Sequence, residues 1–166
     1  MITTNITYLL NNIFLTIFNF FSGTGLVGLV AGLLGAQVCI TDRKMALELA
    51  KDNVKRNSAN FNTSLIEVLE LEWGQDVSSF EPPFDYVLGA DIVYIEKTFK
   101  QLLKTIDELC DDNTIVLLSC KIRYQRDKNF LGLLDKMFTV EEVFHDETLD
   151  IYIYKAVRRN QRDHSL

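Results

Sequence analysis

Gly23, Gly25 and Gly28 stand at G-x-G-x-x-G spacing in Phe20-Phe21-Ser22-Gly23-Thr24-Gly25-Leu26-Val27-Gly28, between an apolar run that reads as a strand and one that reads as a helix. Glycine removes the Cβ atoms that keep a ligand from the backbone, and the helix that follows aims unpaired N–H groups into the same space. Such a turn takes a nucleotide-type ligand, and the pattern alone suggests a nicotinamide or flavin. A glycine-rich helix start packed closely on a sheet explains the same residues without any ligand. Asp42, where the next strand ends, can accept from both hydroxyls of a ribose lying across the turn, or it can cap the helix after it. Trp73, the sole tryptophan, lies in a polar loop and offers its face either to adenine or to the core edge. Asp91 and Tyr94 follow a fourth strand, beside the first, at the switch point where open α/β sheets bind ligands. Their alternatives are a helix cap and a core tyrosine.

The elements that must position these residues follow from periodicity. Ile13 to Phe20 is rich in β-branched and aromatic residues and reads as a buried strand. From Gly25 to Leu34 the residues Leu26, Leu29, Val30, Leu33 and Leu34 recur at helical spacing, with Gly35 as the stop. That helix is apolar nearly all round and is expected to be buried. Gln37 to Thr41 is a strand ending at Asp42, and Arg43 to Asn57 is a helix with Ala46, Leu47, Ala50 and Val54 on one face. Strand and helix in alternation imply a parallel sheet with right-handed crossovers. Leu65 to Leu69 gives a third strand, Phe84 to Asp91 a fourth running into a loop, and Thr98 to Leu109 an amphipathic helix. Asn113 to Ser119 is the most hydrophobic strand, so a central place is expected. Phe130 to Met137 is a further helix. Phe138 to Phe144 and Asp150 to Val157 then follow with only His145 to Leu149 between them, which makes them an antiparallel pair.

Composition narrows the partners. A chain of 166 residues, 48% hydrophobic, suffices for one domain with a full core. A formal net charge of −6 argues against nucleic acid or an anionic membrane as the main partner and suits a basic protein segment. Cys39, Cys110 and Cys120 are far apart, with no C-x-x-C and no histidine companion, so no metal site or disulfide framework is indicated and a cytoplasmic protein with reduced thiols is expected. No Lys or Arg precedes Arg43, so a signal peptide's basic start is missing. Asn11, Asn12 and Asn19 interrupt the run that would otherwise suggest a membrane span.

Five parallel strands closing on an antiparallel hairpin resemble the class I S-adenosylmethionine-dependent methyltransferases. The glycine turn is similar to the end of that family's E-L-G-x-G-T-G-L-V-G segment, and Gly89-Ala90-Asp91-Ile92-Val93-Tyr94 resembles its D-x-x-Y signature. With Ile40-Thr41-Asp42-Arg43 and Glu72-Trp73-Gly74-Gln75, these resemble the protein-lysine methyltransferase group, in particular the Hsp70-type chaperone lysine methyltransferase. The likeness runs from about Ser22 to Arg159. It implies a Rossmann-like seven-stranded sheet, mainly parallel, with a C-terminal antiparallel hairpin and a shortened N-terminal region. The domain reading is a divergent segment 1–21 supplying the first strand, a methyltransferase domain 22–159, and a polar tail 160–166.

What the resemblance implies for the site is S-adenosylmethionine as cofactor, held by Ser22, Gly23, Thr24, Gly25, Asp42, Trp73 and Ala90. Asp91 and Tyr94 would be catalytic: the carboxylate holds the incoming lysine ammonium until its proton leaves, and the ring walls the channel. The substrate implied is an Hsp70-type chaperone and the protein a monomer. Two alternatives stand beside this: an impaired member that still binds a chaperone, and a small dinucleotide oxidoreductase without a second domain. Asn19 stands where the family carries Glu and Phe21 where it carries its first glycine, so weaker cofactor binding is expected. A beginning with Glu-Leu-Gly ahead of Ser22 is expected to raise transfer. Lys121, Arg123, Tyr124 and Arg126 follow the fifth strand and either touch a protein substrate or form a solvated loop. His145 reads as a solvated turn residue, and His164 lies in the tail.

Overall fold

The computed structural model describes residues 15–20, 23–59, 62 and 65–159. Phe21, Ser22, the start of the first expected strand at Ile13 and the tail 160–166 lie outside them. Seven strands, β1 (Thr16–Phe20), β2 (Gln37–Asp42), β3 (Ile66–Glu70), β4 (Tyr86–Ala90), β5 (Ile115–Cys120), β6 (Phe138–Asp146) and β7 (Ile151–Arg158), form a sheet of order β3-β2-β1-β4-β5-β7-β6. The chain divides into two compact units: Met1–Glu72 with Phe84–Leu88, and Trp73–Pro83 with Gly89–Leu166.

In the first unit β1 pairs parallel with β2, and β2 with β3. Their crossovers are helices α1 (Leu26–Leu33) and α2 (Lys44–Arg56). The core gathers Ile17, Leu29, Ala31, Val38, Ile40 and Ile66. The expected burial of α1 holds for one face only. Gly28, Leu29, Ala31 and Gly32 are buried, whereas Leu26, Val30, Leu33 and Leu34 are exposed. The buried face is the one made of small residues because the helix lies almost in contact with the sheet. A methyl group on Gly28 would overlap the Ile40 side chain, and one on Gly32 that of Ile66. Gly28→Ala is therefore expected to cost about 1–3 kcal/mol in urea unfolding, the usual cost of overpacking. A loss under about 0.5 kcal/mol, the range of ordinary surface changes, would mean that α1 lifts off Ile40 freely.

In the second unit β7 pairs antiparallel with both β5 and β6. Helix α3 (Phe99–Leu109) follows a short 3-10 turn at Glu96–Thr98, and α4 spans Gln125–Leu134. Phe99 and Phe130 meet edge to face at 5.0 Å, and Leu102, Ile106, Leu118, Leu134 and Phe138 are fully buried. Three expectations shift here. Strand β5 is interior but not the middle of the seven. Helix α4 begins five residues before Phe130 because Asp127 gathers the N–H groups of Arg123 and Tyr124, a polar start that hydrophobic periodicity does not register. His145 is not in a turn: β6 runs on to Asp146 and the imidazole stacks on Tyr152 at 4.0 Å.

Candidate functional site

In the first unit the chemistry lies at the ends of β1 and β2. Gly23 and Gly25 have φ of +54° and +81°, a region that glycine enters without the strain an L side chain meets. Among the described residues, a Cβ on Gly23 would meet nothing within 4 Å. Gly25 caps α1 without a side-chain hydrogen bond. Asp42 is 5% exposed and joins the two strand ends. Its Oδ2 accepts the Gly23 N–H at 2.9 Å and its Oδ1 the Arg43 N–H at 2.7 Å. The N-cap of α2 is Arg43, and Asp42, one residue before it, takes that residue's N–H and the Gly23 N–H together. A carboxylate has about four acceptor positions, and two remain for hydroxyl donors. Asn19 is fully buried at the end of β1. Its Nδ2 donates to Leu88 O at 3.4 Å, while its Oδ1 has no hydrogen-bond partner and lies 3.3 Å from where a Gly28 Cβ would be. A glycine turn beside a buried strand-end carboxylate with two acceptor positions left suits a ligand that carries paired hydroxyls.

In the second unit Trp73 is half-buried in the loop after β3. The loop is fixed beside it by Gly74, whose N–H donates to Thr105 Oγ1 at 2.7 Å and whose carbonyl accepts from Lys104 Nζ at 2.9 Å. Ala90 ends β4 and is exposed. Asp91 follows in the left-handed region, φ +53°, anchored by its N–H to Ser119 O at 2.7 Å. Its side chain is 64% exposed. A non-glycine residue at positive φ carries strain that tends to be retained at working sites. Ile92 and Val93 are buried, while Tyr94 is 43% exposed, so the sequence D-x-x-Y puts its two apolar members into the core and presents its two polar ones. Neither alternative for these residues, helix cap or core tyrosine, describes them.

Sequence reasoning missed what faces Asp91. Arg123 Nη1 donates to Asp91 Oδ1 at 3.0 Å, and the carboxylate pushes the guanidinium above its already high range. Its neighbours are otherwise engaged. Lys121 Nζ donates to Leu149 O at 3.1 Å and lies 3.7 Å from Asp150, and Arg126 lies over the Tyr124 ring at 4.3 Å. Burial pushes Cys39 and Cys110 up to about 12 and Cys120 up to about 11, so the three free thiols stay protonated near neutrality and offer no nucleophile. No group of three or more His, Cys, Asp or Glu among the described residues is placed to hold a metal. No helix among them is long and apolar enough to cross a membrane.

Comparison with known proteins adds a family. A family model described as "Lysine methyltransferase" matches residues 8–137. The protein N-lysine methyltransferase METTL21A of Mus musculus is 54% identical over 143 residues, covering 86% of this chain and 66% of that protein. The EEF1A lysine methyltransferase 3 of Xenopus tropicalis is 37% identical over 139 residues, covering 82% of this chain and 61% of that protein. The chain thus spans no more than about two thirds of the length of these relatives. Among solved structures, a TehB-like SAM-dependent methyltransferase from Corynebacterium glutamicum superposes with a TM-score of 0.69 at 15% identity, over 93% of this chain and 86% of that one. At that identity the likeness concerns the fold.

Proposed function

We propose, from the premise that this chain belongs to the lysine methyltransferase family, that it transfers a methyl group from S-adenosylmethionine to a lysine of an Hsp70-type chaperone. The observation that carries the reading is the bond from the Gly23 N–H to Asp42 Oδ2. It ties the strand-end acid to the glycine turn, so the ribose acceptor and the backbone donors keep one geometry.

When bound, S-adenosylmethionine supplies a methyl carbon already activated on a sulfonium. The chain's own residues then have to bind, orient and exclude water. Asp42 would accept from the two ribose hydroxyls, and Ser22, Gly23, Thr24 and Gly25 would offer the cofactor the turn. Trp73 and the Ala90 backbone would hold the adenine. Asp91 receives the lysine ammonium, and Tyr94 lines its approach with a ring that attracts the cation and a hydroxyl that orients it. The working domain is 22–159, between the divergent segment 1–21 and the polar tail 160–166. An acidic chain with unpaired, protonated thiols suits a cytoplasmic monomer acting on a basic protein segment. The chaperone assignment is supported by the D-x-x-Y and glycine-turn resemblance, and methyl transfer to lysine by the 54% identity to a protein N-lysine methyltransferase.

Calorimetry with S-adenosylhomocysteine and with a nicotinamide dinucleotide tests the ligand class. Heat of binding is expected from the first alone. Binding of the dinucleotide instead would return the glycine turn to the oxidoreductase reading.

A further inference from the structure

The carboxylate assigned to the substrate is already paired. Arg123 Nη1 reaches Asp91 Oδ1 at 3.0 Å, and each partner is held from behind. The Asp91 N–H is tied to Ser119 O. The N–H groups of Arg123 and Tyr124 converge on Oδ2 of the buried Asp127, at 2.9 and 2.8 Å. Two loops 32 residues apart are thus fixed so that a guanidinium, 45% exposed, meets an exposed carboxylate. Ion pairs this open contribute little to stability, so the fold has no need of this one.

Methyl transfer does need something there. The nucleophile is a neutral amine, and a bare carboxylate would hold the lysine as its unreactive ammonium. We propose that Arg123 is a further functional residue: its guanidinium shares the Asp91 carboxylate with the incoming lysine and drives the proton off that lysine's Nζ. The inference rests on the assignment of Asp91 made above.

One Asp91 oxygen takes Arg123, and the other is left to accept the ammonium. The lysine then meets a carboxylate whose charge Arg123 already offsets, beside a cation that cannot be neutralised. The other charged or titratable groups facing the pair are Asp127, Tyr124 and the Cys120 thiol. None is a cation. Cys120, pushed up to about 11, is neutral through the physiological range, and Asp127, held by the Arg123 and Tyr124 N–H groups and beside Arg126, fixes Arg123 in place. The proton passes from Nζ to water. The freed lone pair forms the new N–C bond as the C–S bond breaks, its electron pair remaining on sulfur. Two cations roughly 5 Å apart in a half-solvated setting lower the amine pKa by about one unit.

The test compares wild type, Arg123→Gln, Arg123→Lys and Asp91→Ala. One measurement is single-turnover transfer to a purified Hsp70-type chaperone from neutral to alkaline pH. The other is chaperone affinity at neutral pH with S-adenosylhomocysteine bound. Arg123→Gln is expected to be about tenfold slower near neutrality and to recover as pH rises, its profile displaced upward by about one unit. It should also bind the chaperone several-fold tighter, roughly what one removed like charge allows. Arg123→Lys should keep the wild-type profile. A role confined to structure would weaken binding and rate together, and that result, or superimposable profiles, overturns the inference. If Asp91→Ala is inactive while Arg123→Gln behaves as wild type, this inference fails alone. If Asp91→Ala keeps its rate, or the wild-type chain transfers nothing at any pH, the assignment of Asp91 fails with it.

Discussion

Asp91→Ala is expected to lower methyl transfer to the chaperone by at least about 100-fold, the lower end for removing a positioned acid–base group. The carboxylate is held at φ +53° with its N–H bonded to Ser119 O at 2.7 Å, so the backbone fixes where it stands. The core does not depend on it, since the side chain is exposed while Ile92 and Val93 carry the burial. The variant should therefore fold and still bind S-adenosylhomocysteine. Tyr94→Phe, which keeps the ring and loses only the hydroxyl, should fall much less than Tyr94→Ala. Full activity in Asp91→Ala would remove the catalytic assignment. A variant that also lost cofactor binding would place Asp91 in the scaffold.

The second large effect is on the cofactor. Asp42→Ala is expected to weaken S-adenosylhomocysteine binding by about 1–3 kcal/mol, the cost of losing hydrogen bonds to a charged acceptor, which is roughly 5- to 150-fold in Kd. The same substitution strips the Gly23 and Arg43 N–H groups of their acceptor, so part of the loss would come from a loosened turn. Asp42→Asn separates the two. Its amide oxygen can still take one backbone N–H but offers less to paired hydroxyls, and it should recover stability more fully than affinity. Unchanged affinity in Asp42→Ala would leave the carboxylate with a purely structural task.

Much of this was legible in the chain because each signal was local. The glycines at 23, 25 and 35 punctuate β1, α1 and β2 by their conformation, and the absence of a helix between β6 and β7 leaves an antiparallel pair as the simplest pairing. The features that escaped are those set by partners distant in sequence or by polar chemistry. Apolar composition makes α1 look buried on every side. Only the closeness of Ile40 and Ile66 to Gly28 and Gly32 shows which face is inward. Gln125 to Asn129 have no apolar rhythm, so the start of α4 is set by Asp127 drawing in the preceding N–H groups. Arg123 looked like one charge among several after β5. Its pairing with Asp91 follows from the tie between the end of β4 and Ser119 of β5, which neither segment shows alone.

The most direct measurement of the central claim is peptide-level mass spectrometry of an equimolar mixture of a purified Hsp70-type chaperone and EEF1A, incubated with this chain and methyl-labelled S-adenosylmethionine. The account predicts label on a lysine of the chaperone, lost when Asp91 is replaced by alanine. Label on EEF1A alone, which the name of one relative gives, or no label on any lysine, would contradict it.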